Sequence, residues 1–324
     1  MKQLNSMAVT LLAASTFAIA TLSQAAPITL TQAGIDNGFS LARIATGFQG
    51  SIVLGSAVNS NGKIVVGDGF GNGKNYVLND VNNQTLGDAI SSTPTGVYTY
   101  AIVNSGGTLY GGGLGNGLKK LNNDGTIAQN YGIAISAGMW VNPVNQHIIA
   151  VGGSGLVDID VSGPVPSVRQ INGAFSDGIT VSPDGQFVYT NSAAYRIDTG
   201  ALVASYSVSG ADGMAVISSS NALNGKVIVG TTNGNLVMLD PSNSFSQTVI
   251  ANGGGYTDFF GVDQTNGSLM FGQPFELWRM GCGVGCGIGV EPPPPPVGNV
   301  PEPGTALIFG LGMLALTGAR RRKQ

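Results

Sequence analysis

Between about residue 40 and residue 280, the sequence repeats one unit of short β-strands joined by turns. Each unit has a strand of alternating apolar residues, a turn rich in Asn, Asp and Gly, a second strand and at least one more. The fourth unit is the clearest, with strands at 178–181, 187–190, 195–198 and 202–208 and a Ser-Pro-Asp-Gly turn at 182–185. The repeat predicts an all-β body.

The length of the repeat indicates a β-propeller. Corresponding glycines are 40 residues apart from Gly138 to Gly178 and 35 apart from Gly178 to Gly213, close to the roughly 40 residues of a four-stranded blade. A flat sandwich does not repeat at this period, and a β-helix repeats at a shorter one. We predict a single propeller of six blades, and a seventh blade stays open because residues 79–95 and 242–257 have room for irregular strands.

The last unit lacks its fourth strand. It stops at Met280, before a Gly-rich and then a Pro-rich segment. A missing strand leaves an exposed sheet edge, which invites aggregation unless something covers it. Residues 40–46 precede the first unit and have the pattern of an outermost strand. We therefore predict that they pair with the last blade and close the ring.

The fourth unit also resembles a known repeat. Its run Val-Ser-Pro-Asp-Gly-Gln-Phe-Val-Tyr-Thr-Asn at 181–191, followed by Tyr-Arg-Ile-Asp-Thr-Gly at 195–200, is similar to the YVTN-type β-propeller repeat of bacterial and archaeal surface proteins. The other units share only its pattern. Members of that family commonly have seven blades, and the resemblance bears on architecture rather than on activity.

Composition and charge indicate an exported protein that does not bind nucleic acid. Charged residues make up 10% of the chain and there are 51 glycines, which suits a β-rich extracellular protein with many tight turns. Residues 26–300 have nine Lys and Arg against 16 Asp and Glu, a balance of −7. Phosphate binding needs clustered cations, and the body has none.

The N-terminus has the order of parts of a secretion signal. Lys2 is followed by an apolar run at 7–22 and then by Ser-Gln-Ala at 23–25. We predict a signal peptide at 1–25 that signal peptidase cleaves between Ala25 and Ala26. An uncleaved N-terminal anchor is the alternative.

The C-terminus has a polar motif, a short apolar segment at 305–319 and a basic end. The apolar segment has about fifteen residues, fewer than the roughly 20 of a stable membrane span, so a short hydrophobic helix there would be a marginal anchor. The basic end favours the cytoplasmic side, which places the preceding residues outside. The motif is Val300, Pro301, Glu302 and Pro303, and the basic end is Arg320, Arg321, Arg322 and Lys323.

This arrangement resembles the PEP-CTERM sorting signal of Gram-negative bacteria. The resemblance implies brief insertion into the inner membrane and cleavage near 301–303 by a membrane-embedded exosortase, with the mature protein at the cell surface or in the extracellular matrix. It also implies association with exopolysaccharide or biofilm. An ordinary membrane tail, which would keep the propeller anchored on the periplasmic side, is the alternative.

Two features connect the body, at 26–281, to the sorting segment, at 300–324. The linker at 282–299 contains the chain's only two cysteines, Cys282 and Cys286, which in an oxidising compartment form a disulfide or remain as two free thiols. Five prolines at 292–296 would make a polyproline spacer of about 15 Å, or part of a linker with no spacing role.

Candidate chemistry is sparse. His147 is the only histidine and falls in a turn, so we expect no multi-histidine metal centre and no cofactor. Asp177, Asp212 and Asp258 precede the first strand of their units at equivalent positions, where a ring of carboxylates could bind a cation or a sugar hydroxyl. Alternatively, each carboxylate satisfies backbone N–H groups at a blade corner.

Two functions follow from this sequence. The first is a non-enzymatic binding or scaffold protein at the cell surface, with extracellular polysaccharide as a candidate partner. The second is a propeller enzyme, a lyase or hydrolase that acts on matrix polysaccharide. Metal binding at the acidic ring together with turnover would favour the enzyme.

Overall fold

The computed structural model describes residues 27–50, 52–69, 73–96, 99–219 and 221–282. The predicted cleavage site at Ala25 and Ala26, Cys286, the proline spacer and the whole sorting segment lie outside the described residues. None of the helices within the described residues has the length and apolar character needed to cross a membrane.

An N-terminal segment precedes the repeats. It contains β1 (Thr29–Leu30), helix α1 (Gln32–Asp36) and β2 (Ser40–Thr46). The Thr31 side chain caps α1 by accepting a hydrogen bond from the Gly34 N–H at 3.1 Å.

The repeats then form six sheets in chain order. Blades 1 and 2 contain β3 (Ser56–Val58), β4 (Lys63–Gly67), β5 (Lys74–Asn79), β7 (Ser91–Pro94), β8 (Ala101–Ser105), β9 (Thr108–Gly112), β10 (Lys119–Leu121) and β11 (Ile127–Asn130). The short strand β6 (Gln84–Thr85) lies between β5 and β7 in the chain but joins another sheet. Blades 3 and 4 contain β12 (Ile135–Val141), β13 (Ile148–Gly152), β14 (Gly155–Asp160), β15 (Ser167–Gln170), β16 (Ile179–Val181), β17 (Phe187–Thr190), β18 (Ala193–Arg196) and β19 (Leu202–Ser205). Blades 5 and 6 contain β20 (Ala211–Val216), β21 (Val227–Thr231), β22 (Leu236–Asp240), β23 (Ser246–Asn252), β24 (Phe260–Val262), β25 (Leu269–Gln273) and β26 (Glu276–Gly281).

The sheets confirm the predicted propeller. Within each of blades 1 to 5, four strands pair antiparallel, outward from the innermost strand. The innermost strands β3, β8, β12, β16, β20 and β24 contact one another in that order, and β24 returns to β3. The described residues thus form six blades around one channel. Residues 79–95 and 242–257 hold the outer strands β7 and β23, and β6, rather than a seventh blade.

The predicted closure of the ring is also confirmed. Strand β2 pairs antiparallel with β26, from Ser40 opposite Gly281 to Thr46 opposite Glu276, and supplies the missing fourth strand of blade 6. Strand β6 extends the same sheet by pairing parallel with β2. Strand β1 adds a fifth strand to blade 5 by pairing with β23, so the N-terminal segment is joined to two blades.

Burial follows the position of each strand in its blade. The inner strands β3 and β16 are buried at every residue, whereas the outer strands β11 and β15 are exposed at every residue. Blades pack face to face around the channel, so both faces of an inner strand are covered by neighbouring blades. The apolar inner strands of the repeat are therefore the core of the protein.

The repeating glycines lie where inner strands of adjacent blades meet. A Cβ on Gly138 would be 2.6 Å from the Asp177 carbonyl oxygen, one on Gly178 would be 1.8 Å from that of Asp212, and one on Gly213 would be 2.5 Å from that of Asp258. The Gly138 N–H donates to the Asp177 carbonyl at 2.9 Å. Only glycine lets the blades approach this closely, which explains the spacing seen in the sequence.

We predict that Gly178→Ala destabilises the ring, because the added methyl group overlaps a backbone oxygen of the next blade. Overpacking of this kind costs about 3 kcal/mol, and thermal unfolding should show a melting temperature lower by about 6 to 12 °C. Gly173→Ala is the matched control, since its Cβ would have no heavy atom within 4 Å. Equal melting temperatures for the two variants would contradict the packing explanation.

Candidate functional site

The three predicted carboxyls lie at one mouth of the channel. Asp177 precedes β16, Asp212 lies at the start of β20 and Asp258 precedes β24, so they belong to consecutive blades 4, 5 and 6. Backbone hydrogen bonds between adjacent blades identify the matching positions in the other blades. The Gly55 N–H donates to the Tyr100 carbonyl in the same way as the Gly138 N–H donates to the Asp177 carbonyl. Blades 1, 2 and 3 have Leu54, Tyr100 and Ala137 there. Half of this mouth is therefore acidic and half is uncharged.

Two of the three carboxyls are joined by a hydrogen bond. Asp212 is hydrogen-bonded to the Asp177 side chain and to the Tyr256 hydroxyl. Asp212 and Asp258 are 3% and 4% exposed, whereas Asp177 is half-buried. One oxygen of Asp212, Oδ2, is buried without a hydrogen-bond partner among the described residues. The repeat thus brings together three acidic side chains that are 35 to 81 residues apart in the sequence.

Burial and mutual repulsion hold protons on this group. Desolvation is the main cause that raises the pKa of Asp212 from 3.8 to about 7, and the neighbouring Asp177 adds to it. Desolvation also raises the pKa of Asp177. The pKa of Asp258 is raised well above its ordinary value by burial and then by the charges of Asp212 and Asp177. Near neutral pH the group therefore carries fewer than three negative charges.

The sequence also allowed a structural role for these carboxyls, in which each accepts backbone N–H groups, and this role accounts for one of the three. Asp258 Oδ1 accepts the Phe259 N–H at 2.8 Å. Asp212 instead bonds to two side chains, so backbone capping does not explain its position. Within the described part of the chain, no three His, Cys, Asp or Glu side chains are arranged to hold a metal ion.

Two aromatic residues that lie near the carboxyls in the sequence were missed by the sequence analysis. Tyr256 bonds to Asp212 and is itself half-buried, and burial with that hydrogen bond raises its pKa. The Phe175 side chain is 68% exposed. Each lies two residues before a carboxyl, at Asp258 and Asp177 respectively, and this shared offset is a signal that could have identified them.

Other sequence candidates lie elsewhere. His147 is in the turn between β12 and β13, and its Nδ1 is 2.8 Å from Asp158 Oδ1. Asp158 also accepts from Arg169 Nη2 at 2.8 Å, so the histidine belongs to a polar cluster on blade 3. Cys282 is buried at the end of blade 6. Its pairing with Cys286 stays a prediction.

We predict that the Asp212 proton makes stability depend on pH. Because the folded state holds this proton more tightly than the unfolded chain does, stability falls as the pH rises from about 4 to about 7. Asp212→Asn removes the titration, so thermal unfolding should show a smaller fall between pH 5 and pH 8 and a higher melting temperature than wild type at pH 8. Asp36→Asn, on the exposed end of α1, is the control that should follow wild type. Identical pH profiles for Asp212→Asn and wild type would contradict the assignment of this pH dependence to Asp212.

Comparison with known proteins identifies the C-terminal segment and the fold. Residues 299–323 match the model of the PEP-CTERM protein-sorting motif. The comparison with curated proteins finds no match. A gluconolactonase from Xanthomonas campestris has a similar structure, with a TM-score of 0.52 and 14% identity over 80% of this chain and 98% of that one. A second solved structure, of a putative gluconolactonase, has a TM-score of 0.54 and 13% identity over 78% of this chain and 97% of that one.

These identities are low, so the likeness concerns the fold alone. The matching structures are gluconolactonase-type propellers and do not single out the YVTN type, so that resemblance remains one of sequence in blade 4. The chain is therefore a six-bladed β-propeller followed by a PEP-CTERM sorting motif.

Proposed function

We propose that this chain is a non-enzymatic binding or scaffold protein that associates with exopolysaccharide at the cell surface. The sorting motif at 299–323 implies export and processing by exosortase in a Gram-negative bacterium. That motif is the observation that supports the proposal most directly, because a protein sorted to the cell surface would meet extracellular polysaccharide there.

The acidic mouth of the channel supports a neutral saccharide as the ligand. Asp177 and Asp212, partly protonated, both donate and accept hydrogen bonds, as sugar hydroxyls require. The exposed ring of Phe175, two residues from Asp177, supplies an apolar face for a sugar ring. The body's balance of −7 would repel a uronic acid polymer, which favours an uncharged glycan.

An enzyme is the second candidate, and the raised pKa of Asp212 favours it. A carboxyl with a pKa of about 7 beside another carboxyl is suited to proton transfer. However, Asp177 and Asp212 are within hydrogen-bond reach of each other, whereas the two carboxyls of a glycoside hydrolase are about 5 Å or more apart. The pair therefore fits binding better than glycoside hydrolysis.

We predict that the mature protein binds neutral polysaccharide through Phe175 and Asp177. Phe175→Ala should weaken binding to a neutral glucan about tenfold, the effect of losing about 1.4 kcal/mol of contact. Val165→Ala, which removes a similarly exposed apolar side chain at 78%, should leave it unchanged. Affinity electrophoresis in gels that contain neutral glucan, alginate or the host's own exopolysaccharide would measure this.

Product analysis on the same polymers separates the two candidates. Binding without release of oligosaccharides supports the binding protein. Turnover that is lost in Asp212→Asn would support the enzyme. Absence of retardation in all three gels would contradict the proposed function.

A further inference from the structure

The opposite mouth of the channel has a different chemistry. A cavity of about 340 Å³ lies where the inner strands end. Its lining residue Val181 is four residues after Asp177 in the chain, so at about 3.3 Å per residue the cavity is about 13 Å from the carboxyls. All six blades contribute to its wall. Each inner strand contributes one small apolar residue to the lining, and these are Ala57, Val103, Val141, Val181, Val216 and Val262.

The described residues that line this cavity include no charged side chain. Two aromatic side chains, Trp140 and Phe260, are part of the wall and are themselves 6% and 5% exposed. An uncharged, largely apolar wall does not hold ordered water well, so the free energy of the cavity falls when an apolar molecule fills it.

Three amide side chains at the rim already take part in hydrogen bonds within the protein. The Gln264 side chain donates to the Asn104 carbonyl at 2.9 Å, and the Asn104 side chain donates to the Val58 carbonyl at 2.7 Å. Gln146 Oε1 accepts the Gly106 N–H at 3.1 Å. These amides join residues of different blades, so they fix the shape of the rim and offer few free partners to a ligand.

The occupied rim decides what kind of molecule fits. A polypeptide that entered the cavity would bring N–H and C=O groups with no partners, and each buried unpaired group is costly. A sugar would lose the hydrogen bonds of its hydroxyls for the same reason. A small ring compound with little polarity has few hydrogen-bonding groups, so it avoids both costs.

The size of the cavity sets the size of the ligand. An apolar cavity of about 150 Å³ accepts one benzene molecule, and this one is about twice as large. Together with the aromatic side chains in the wall, which favour stacked or edge-on rings, the volume corresponds to two fused rings.

We propose that this cavity is a binding site for a small uncharged aromatic molecule of about two fused rings. The site is separate from the carboxyl mouth and does not depend on the proposed binding of polysaccharide. Both ends of the channel would then bind ligands, one polar and one apolar.

Titration of the mature protein with 2-naphthol, followed by calorimetry, tests the site. We expect saturable binding of one molecule per chain. Ala57→Leu places three more carbon atoms at the wall and should weaken binding about tenfold or more, because the added side chain takes the place of ligand contacts.

Ser218→Trp provides a second variant in case Ala57→Leu disturbs packing, since Ser218 is an exposed residue at the rim and its replacement would narrow the entrance. Ser205→Trp, on the exposed outer strand of blade 4, is the matched control and should bind as wild type does. Weaker binding in the folded Ser218→Trp variant alone is enough to support the site. No heat of binding up to the solubility limit, or equal affinity in wild type and both cavity variants, would overturn it.

Discussion

The pairing of β2 with β26 is the interaction on which the rest of the structure depends. Each blade buries both faces of its inner strand against its neighbours, so the core exists only while the ring is closed. Residues from the start of the chain complete the last sheet. Arg279 of β26 also joins blade 6 to blade 1, since it forms ion pairs with Asp80, which follows β5, and at 3.1 Å with Asp263, which follows β24. Asp263 is fully buried, so this contact between the last blade and the first is shielded from water.

Closure of the ring also positions the candidate sites. The six inner strands run in one direction along the channel, so equivalent residues of different blades meet at the same mouth. Three consecutive blades place Asp177, Asp212 and Asp258 at one end, where burial and the neighbouring carboxyls raise their pKa values. At the other end, the same strands present mainly valine side chains. The repeat determines where side chains converge, and the individual residues determine the chemistry of each end.

The sequence predicted most of the fold and part of the site. The propeller followed from the glycine spacing. Its closure followed from the last repeat, which lacks a strand, and from the extra strand that precedes the first repeat. The number of blades stayed open because β23 lies in a stretch without clear alternation. The Tyr256 hydrogen bond and the shared proton of Asp177 and Asp212 were not predictable, since they depend on distances between side chains of different blades. The apolar cavity was missed because its lining residues come from six separate repeats.

Amide hydrogen exchange of β2 tests the closed ring most directly. If β2 holds the ring together, its hydrogen-bonded amides can exchange only when the whole propeller opens, so they should show the same free energy of opening as those of the central strand β13. The contradicting result would be a free energy of opening for the β2 amides well below that of the β13 amides, with the remaining blades still protected. It would show that the ring is stable without β2.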